Sequence, residues 1–504
     1  MPSDRSVPMM KAPTPGAAPA QPGRRSALVK LALLGASLAT GLGACGGGGG
    51  TAKAPVRLAA ESYLEPVQVN VGFRSVSTAR PIDSRFSGLS YEKRKLTEPL
   101  FSGVNLPLIK LFSLVGPGVL RIGANDVDRA SWNGAEDDLT PILPAQIDNL
   151  AAFLQQTQWQ VIYGVNMRRN TPADAASEAA YVASRLGPSL LAWEIGNEPD
   201  LYIRRGYRPE GWTYDDYLRE WRQLRDAMRE AAPAVPFSGP ATSYDVERFT
   251  LPFARDEGVR VPLLTHHYYR GDRDDPNSTL ELLLRPDPAL ARELETLVAA
   301  ASAAGMNQGV RLAEANSFFG GGVAGVSNAF GSALWVLDFL FTCALAGCTG
   351  VNLHGGDAGS YTPIAERDGV VIEVRPEFYA MLMFAEAEQG VPVAGVIEPT
   401  PDINLSAWGV QRPDGGLNVI LVNKDEGRGA SMTLNTGPFT TAIGFDPLWL
   451  YGPARSATAG QTLGASVIGA DGSWTPITEA PAIANLGLFN VVVPAASAVL
   501  LRSL

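Results

Sequence analysis

The strongest constraint on the fold is a repeated alternation of short apolar runs with helical segments between about residues 85 and 375. Most of the runs are nearly continuous in apolar residues, which is typical of strands buried on both faces. Eight such units in roughly 290 residues predict an α/β fold, a (β/α)8 TIM barrel that spans residues 85–375. The predicted strands cover residues 86–92, 118–123, 159–166, 190–197, 236–239, 262–269, 309–316 and 350–356.

Residues 213–232 give the clearest helical pattern between these strands. Apolar residues recur at i, i+4, i+7 and i+11 from Tyr217 to Met228, which places them on one face of a helix. Thr213 and Asp216 have the spacing of a capping box at its start. The segment therefore predicts an amphipathic helix packed on the barrel.

The pattern changes after residue 375 to short strands separated by turns. Residues 412–416 (R-P-D-G-G) lie between two strand-like runs and predict a hairpin connection. We expect a C-terminal β-sandwich domain over residues 376–504. Residues 65–84 contain a further alternating run, which we expect to add an N-terminal strand to the sandwich.

Composition and charge exclude several classes of function. The chain is 46% apolar and 18% charged, as in globular proteins with a large core. Its net charge is −10 and it has no basic blocks, which argues against a nucleic-acid partner. Cysteine and histidine show no metal-ligand spacing, so the sequence predicts neither a metal nor a cofactor.

The first 64 residues have a different composition from the rest of the chain. Arg24 and Arg25 precede an apolar segment, residues 27–44, which is typical of a secretory signal covering residues 1–44. The sequence L-G-A-C (42–45) resembles a bacterial lipobox, which would make Cys45 the lipidated first residue of the mature protein. A glycine-rich tether follows over residues 45–64.

This N-terminal pattern predicts export from a bacterial cytoplasm and a lipid anchor that attaches the protein to the membrane of the cell envelope. The alternative is an ordinary cleaved signal with an incidental cysteine at position 45. The sequence does not decide which membrane leaflet would hold the anchor. It also leaves open whether Cys343 and Cys348 form a disulfide or remain buried thiols.

Two carboxylates follow predicted strands on opposite sides of the barrel. Asn197 and Glu198 end the fourth strand, and Glu314 ends the seventh. In TIM barrels the functional groups lie at the C-terminal ends of the strands, so these side chains should meet at the mouth. A pair of carboxylates there is what retaining glycoside hydrolysis requires. We expect burial near Glu314 to raise the pKa of Glu198, so that Glu198 carries a proton while Glu314 is ionised.

Three motifs carry a more specific resemblance: W-E-I-G-N-E-P (193–199), H-H-Y-Y (266–269) and E-A-N-S-F-F-G-G-G (314–322). Together they resemble glycoside hydrolase family 79, the β-glucuronidase and heparanase family of clan A. The resemblance spans the barrel in register, and the sandwich domain of the family fits the C-terminal third of the chain. It implies a retaining β-glycoside hydrolase with Glu198 as acid/base and Glu314 as nucleophile.

The same resemblance implies a set of substrate-binding residues at the mouth. His266 and Tyr268 would line the subsite of the cleaved sugar, with Tyr268 near the nucleophile. The backbone N–H groups of Gly320 and Gly321 and the Tyr361 hydroxyl would bind the sugar carboxylate. Two asparagines would face the sugar hydroxyls, Asn125 and Asn197.

The implied substrate is a glycan or glycoconjugate with terminal β-linked glucuronic acid or its 4-O-methyl derivative. The net charge of −10 disfavours a heavily sulfated substrate and favours a less charged glucuronide. Two alternatives stay open: another retaining clan A enzyme, such as a β-xylosidase or β-glucosidase, and a non-catalytic glycan-binding surface lipoprotein. The aglycone, the choice between exo and endo cleavage, and the oligomeric state are left undecided.

Overall fold

A computed structural model of the chain describes residues 65–134, 138–387, 389–440, 444–477, 479, 482–483 and 489–504. The predicted signal segment, Cys45 and the predicted tether lie outside the described residues. The strands are, in chain order, β1 (Val67–Ser75), β2 (Ser87–Glu92), β3 (Val119–Gly123), β4 (Ala130–Trp132), β5 (Thr140–Ile142), β6 (Gln160–Val165), β7 (Leu190–Ile195), β8 (Phe237–Thr242), β9 (Leu263–Asp272), β10 (Gly309–Phe319), β11 (Gly350–His354), β12 (Ile364–Arg367), β13 (Val370–Val374), β14 (Val391–Glu398), β15 (Leu405–Gln411), β16 (Leu417–Asn423), β17 (Ala430–Leu434), β18 (Gly444–Tyr451), β19 (Thr462–Leu463), β20 (Ala482–Ile483), β21 (Phe489–Val493) and β22 (Ser497–Ser503).

Eight of these strands close into a parallel barrel in the order β10-β11-β2-β3-β6-β7-β8-β9. They correspond one to one to the eight predicted strands, so the predicted TIM barrel is confirmed. Three strands extend beyond their predicted ends: β8 continues to Thr242, and β9 and β10 stay paired beyond the mouth, up to Asp272 and Phe319. Backbone pairing needs no apolar side chains, so the polar end of β9 (Arg270–Asp272) hid its extension.

Helices connect the barrel strands and cover their outer faces. None of the described helices is both long and apolar enough to cross a membrane. Single turns of 3-10 helix occur at Lys93–Thr97, Asn125–Arg129, Gly187–Ser189, Pro199–Leu201 and Gly437–Phe439, and one π-helical turn occurs at Val246–Thr250. The helices are α1 (Leu106–Val115), α2 (Pro144–Thr157), α3 (Pro172–Leu186), α4 (Tyr214–Ala231), α5 (Leu251–Glu257), α6 (Leu280–Leu284), α7 (Pro288–Ala303), α8 (Phe330–Ala346) and α9 (Pro376–Ala387).

Helix α4 confirms the helix predicted over residues 213–232. The Thr213 hydroxyl accepts from the Asp216 N–H, and the Asp216 carboxylate accepts from the Thr213 N–H (3.0 Å). The predicted apolar face is buried against the barrel. In helix α8, Cys343 is a buried free thiol, as is Cys348 just after it, so the structure contains no disulfide between them.

Helix α9 lies beyond residue 375, where the sequence predicted that the barrel ends. It packs against α8 and α1 in the helical layer around the barrel, and it also contacts strands of the C-terminal sheet. The segment P-E-F-Y-A-M-L-M-F-A-E-A is buried on almost all sides. A helix without a polar face has no 3.6-residue periodicity, and its pattern could not be told from that of a strand.

The C-terminal domain is built on one continuous sheet with the order β19-β18-β22-β16-β15-β14-β1-β17-β21. The sheet curls, so that β21 at one end of this order contacts β16 and β22, and both layers bury a common apolar core. Strand β1 from the N-terminal segment pairs with β14 and β17 in this sheet. The predicted hairpin at residues 412–416 joins β15 to β16.

A buried ion pair fastens this sheet to the barrel. Asp338 of α8 accepts hydrogen bonds from Ser406, from Trp408 Nε1 (2.8 Å) and from Lys424, whose side chain is 2% exposed. The Trp408 ring also stacks on Phe341 with the ring centroids 5.8 Å apart. The interface therefore combines apolar packing with a buried cation, Lys424, whose counter-ion is Asp338.

Replacing Asp338 by asparagine should lower the free energy of unfolding by about 3 kcal/mol, because the buried ammonium of Lys424 loses its counter-charge. The matched control is Asp226→Asn, since Asp226 pairs with Arg225 but is 68% exposed. That change should cost less than about 0.5 kcal/mol. Urea denaturation measures both variants. Equal, small losses would show that Asp338 does not hold the interface.

Candidate active site

A buried arginine organises the C-terminal end of the barrel. Arg121 lies in β3, and its side chain is fully buried. It donates from Nε to Glu194 Oε2 (2.5 Å), from Nη1 to Glu314 Oε2 (2.8 Å) and from Nη2 to Asn197 Oδ1 (2.8 Å). Although burial lowers the pKa of Arg121, the two carboxylates raise it above its ordinary value, so the guanidinium is charged. Arg121 was not among the predicted site residues. The only sequence feature that could have indicated its role is the position of an arginine inside an apolar run.

Glu198 is placed at the mouth by an unusual turn after β7. The backbone of Gly196 and Glu198 is left-handed, with φ of +79° and +53°. The Glu198 N–H donates to the Ala241 carbonyl (2.9 Å), and the Asn197 N–H donates to the buried Asp128 carboxylate (3.2 Å). A left-handed glutamate is uncommon and needs such support from its surroundings. The turn thus directs the Glu198 carboxylate into the barrel mouth.

Both oxygens of the Glu198 carboxylate are engaged. Oε1 lies 3.0 Å from His267 Nδ1, and Oε2 accepts a hydrogen bond from Arg205 Nη2. Burial raises the pKa of Glu198, but the hydrogen bond and charge of His267 and the Arg205 guanidinium outweigh burial and lower it. The expected rise in this pKa is therefore wrong for the unliganded protein. The expectation considered burial beside Glu314 and not the two basic partners.

Glu314 in β10 is held in its ionised form. Burial raises its pKa, but the charges of His354, His267 and Arg121 and the hydrogen bond from Tyr269 bring the pKa well below the ordinary value. Tyr269 Oη donates to Glu314 Oε1 (2.8 Å), and His354 Nδ1 lies 3.9 Å from Oε2. Glu314 therefore has the charge and the fixed orientation that a nucleophile needs.

The two glutamates lie close together. Single ligand atoms from Glu198, His267 and Glu314 lie within 4.8 Å of one another. This close approach of single oxygen atoms fits the roughly 5–5.5 Å between carboxyl groups in retaining glycosidases. The same three groups are a geometric candidate for a metal site. However, the guanidiniums of Arg121 and Arg205 already neutralise both carboxylates.

The structure places His266 and Tyr268 outside the mouth, so their predicted position in the sugar subsite is wrong. His266 Nδ1 lies 2.9 Å from Thr242 Oγ1 beneath the helical layer. Tyr268 Oη donates to Asp287 (2.9 Å), and its ring stacks on Phe339 of α8 with the centroids 5.2 Å apart. Both side chains point away from the barrel axis.

The neighbouring residues face the mouth instead: His267 contacts Glu198, and Tyr269 contacts Glu314, beside which Tyr268 was predicted. Side chains alternate along a strand, and Thr265 points inward to Glu194 (2.9 Å), which sets the inward face as Thr265, His267 and Tyr269. The resemblance had implied the other face, and the apolar residues before Thr265 fit either side. The buried Thr265 was the sequence feature that could have indicated the inward face.

The residues predicted to bind the sugar carboxylate do come together. The φ angles of Gly320 and Gly321 are +86° and +104°, and the Gly321 carbonyl accepts from the Tyr361 N–H (3.3 Å). A Cβ on Gly320 would lie 2.6 Å from Arg273 Cδ, and one on Gly322 would lie 2.7 Å from the Tyr361 nitrogen. Only glycine fits this turn. Burial raises the pKa of Tyr361, so its hydroxyl remains a neutral donor.

The two predicted asparagines have different surroundings. Asn197 is fully buried, and its Nδ2 group has no hydrogen-bond partner among the described residues. Because a buried amide is costly to leave unpaired, this group is available to a ligand. Asn125 is half-buried at the start of the 3-10 turn that follows β3.

Two further carboxylates, Glu92 and Asp126, lie near the mouth. Asp126 pairs with Arg94 (2.9 Å), whereas Glu92 Oε2 accepts the Asp126 N–H (2.7 Å). Burial, and then the charges of Asp126 and Glu314, raise the pKa of Glu92 to about 8. A protonated Glu92 can donate a hydrogen bond into the mouth, whereas Asp126 acts as a counter-ion.

No protein-family model matches the chain. A β-glucuronidase of Aspergillus niger is 30% identical over 279 residues, which are 48% of this chain and 51% of the relative. A β-glucuronidase of Neurospora crassa is 27% identical over 211 residues, which are 37% of each chain. The chain thus spans about half the length, or less, of these curated relatives.

Solved structures resemble the fold over most of the chain. A 4-O-α-L-rhamnosyl-β-D-glucuronidase of Fusarium oxysporum superimposes with a TM-score of 0.70 and 18% identity, over 86% of this chain and 100% of that one. An α-L-arabinofuranosidase of Thermotoga maritima superimposes with a TM-score of 0.61 and 16% identity, over 86% and 99% of the two chains. At such identities the likeness establishes the architecture, a TIM barrel with an appended β-domain.

Tyr269→Phe should raise the pKa of Glu314 by about one pH unit, because the ionised carboxylate loses a charge-assisted hydrogen bond. The pKa of Glu314 is depressed in the wild type, so its carboxyl resonance should stay in the ionised position as the pH falls. In the variant the resonance should begin to move at higher pH.

NMR titration of carboxyl-labelled glutamate measures this change, with Glu314→Gln to assign the signal. Tyr268→Phe is the matched control: it removes a hydroxyl one residue away that points to Asp287, and it should leave the Glu314 signal unchanged. If Tyr268→Phe moved the signal and Tyr269→Phe did not, the assignment of the inward face would be wrong.

Proposed function

We propose that this protein is a retaining β-glycoside hydrolase, a β-glucuronidase that removes terminal β-linked glucuronic acid from glycans or glycoconjugates. The observation that carries the proposal is the close pair of Glu198 and Glu314 at the mouth of a closed barrel. The similarity to curated β-glucuronidases supports the choice of sugar.

In the first step, Glu314 Oε attacks the anomeric carbon as the bond from that carbon to the glycosidic oxygen breaks. The bonding electron pair leaves with the oxygen, which takes the proton of the Glu198 carboxyl. Two of the groups around Glu314 support this role: Arg121 orients its carboxylate, and Tyr269 contacts the oxygen opposite the Arg121 contact.

In the second step, water attacks the same carbon from the face that the leaving group vacated. Glu198, now a carboxylate, takes a proton from the water, and the bond to Glu314 breaks with its electrons returning to the carboxylate. Two inversions at one carbon give a product with the original β configuration. Both glutamates end in their starting states.

Uronic acid selectivity would come from the glycine turn. Its left-handed backbone approaches Tyr361, and a sugar carboxylate between the turn and the Tyr361 hydroxyl would receive neutral donors. Arg273 lies on the outer side of the turn and donates to the Gly320 carbonyl (2.5 Å). Its positive charge would favour an anion there. The unpaired Asn197 amide would bind a sugar hydroxyl.

The direct test compares hydrolysis of 4-nitrophenyl β-D-glucuronide with that of its methyl ester, the β-glucoside and the β-xyloside. We expect the free acid to have a kcat/KM about 100-fold above the others, because the turn loses an ionised partner in each of them. Equal or faster cleavage of a neutral sugar would overturn the glucuronidase assignment and leave the retaining glycosidase in place.

The catalytic variants provide the control for the chemistry. Glu314→Gln should lower kcat by about 10⁴-fold or more while the protein remains folded. Glu198→Ala should retain more activity on substrates with good leaving groups, and added azide should restore part of the loss. NMR of the first product should show the β-anomer. If the α-anomer formed first, Glu314 would not be the nucleophile.

We further propose that the N-terminal segment directs export and that Cys45 carries a lipid anchor. The support is the apolar segment followed by L-G-A-C, together with the glycines after Cys45. Stable attachment needs more than one acyl chain, which bacterial lipoprotein processing adds at such a cysteine.

Cys45→Ala should therefore move the protein out of the detergent-extracted membrane fraction of expressing bacterial cells. Cys348→Ala, which changes a buried cysteine of the barrel domain, should distribute as the parent does. An identical distribution of parent and Cys45→Ala would exclude the anchor and favour an ordinary cleaved signal.

A further inference from the structure

Each oxygen of the acid/base carboxylate contacts a basic side chain. His267 lies at one oxygen of Glu198, and the Arg205 guanidinium donates to the other. An acid that protonates the glycosidic oxygen must first carry a proton itself. Because a cation beside the carboxylate opposes that proton, the proposed reaction is favoured when one of the two partners turns away.

Arg205 is the partner that is able to move. The side chain of His267 is 1% exposed and belongs to a barrel strand, whereas the side chain of Arg205 is 22% exposed and follows the turn after β7. Among the described residues, the one further contact of the guanidinium beyond Glu198 is a long one from Nη1 to the Asn197 carbonyl (3.3 Å). An arginine side chain at the rim can rotate without disturbing the barrel.

We propose that Arg205 determines specificity for the leaving group: it turns from Glu198 to an anionic group on the leaving-group side of the substrate. The inference deepens the proposed function and rests on it. An acid/base residue contacts the glycosidic oxygen, so the guanidinium beside it lies on the side of the leaving group. The preferred substrate is accordingly a glucuronide whose leaving sugar or aglycone carries a carboxylate or a comparable anion.

Two further guanidiniums lie in the neighbouring loops, and both already have a carboxylate partner. Arg168 lies over the Tyr207 ring, 4.6 Å from its centroid, and also contacts Asp138 (3.5 Å). Arg129 Nε contacts the Tyr207 hydroxyl (3.4 Å), and its Nη1 lies 3.6 Å from Asp126. Recognition of the anion therefore depends on Arg205 itself.

The movement of Arg205 from Glu198 to the substrate anion also sets the protonation of Glu198. When Arg205 turns away, Glu198 loses a cation, takes a proton from solvent and later passes it to the glycosidic oxygen. The pKa of Glu198 rises in this step. Burial and the charge of Glu314 raise this pKa, and the positive charge of Arg205 then no longer offsets them. The other charged or titratable groups near Glu198 stay in place on their own elements: His267, Tyr269, Glu314, His354 and Asp200.

The test compares 3-carboxyphenyl and 3-carbamoylphenyl β-D-glucuronides, which share a shape and differ by one charge. The wild type should favour the carboxylate by about tenfold in kcat/KM. The basic limb of kcat should lie at higher pH with the carboxylate than with the amide, because the anion holds Arg205 away from Glu198 and the neutral amide does not.

Arg205→Gln should abolish this preference and move the basic limb to the same, higher pH for both substrates. Arg205→Lys should keep a preference for the anion, because it keeps a cation at the rim. Arg204→Gln is the matched control, since the neighbouring Arg204 is exposed and should leave both the preference and the pH profile unchanged.

A wild type that cleaves both glucuronides at equal rates would overturn the role of Arg205 and leave the glucuronidase intact. An equal loss of preference in Arg204→Gln and Arg205→Gln would also overturn it. The preference would then depend on the total positive charge near the mouth and not on the position of Arg205. Failure of the folded wild type to cleave either glucuronide would instead refute the proposed function, and with it the role of Arg205.

Discussion

The rest of the site depends on the buried guanidinium of Arg121. One cation and two carboxylates, Glu194 and Glu314, meet inside the barrel, away from water. Burying such charges is costly, and removing one partner would leave the others uncompensated. These contacts therefore fix the positions of the three strands that carry the charges, β3, β7 and β10, relative to one another. Arg121 Nη2 also donates to Asn197, and this hydrogen bond fixes the turn that carries Glu198.

The two catalytic candidates differ in how firmly their cations are held. Glu314 contacts a guanidinium that is fully buried and hydrogen-bonded to four side chains, so the negative charge of Glu314 persists at working pH. Glu198 contacts a guanidinium at the rim that has one weak further contact. A permanent cation suits a nucleophile, and a removable one suits a group that must gain and lose a proton. The barrel thus assigns different roles to two chemically identical side chains.

Much of this architecture could be predicted from the sequence, because strands buried on both faces leave continuous apolar runs. The two carboxylates, one just after β7 and one within β10, were found from the same pattern. The inward face of β9 could not be inferred, since the apolar residues before Thr265 are compatible with either orientation. Helix α9 was missed for a related reason: a helix that is apolar on all sides lacks the periodicity by which helices are recognised.

The ionic contacts were beyond prediction for a different physical reason. Arg121 and Glu194 are 73 residues apart, and Arg121 and Glu314 are 193 apart, so no local pattern links them. Arg205 is only seven residues from Glu198, but the contact forms because the left-handed turn folds the chain back on itself. Since the pKa of each glutamate depends on these contacts, burial inferred from apolar neighbours could not give its direction. Glu198 is the clearest case, because its two basic partners reverse the effect of burial.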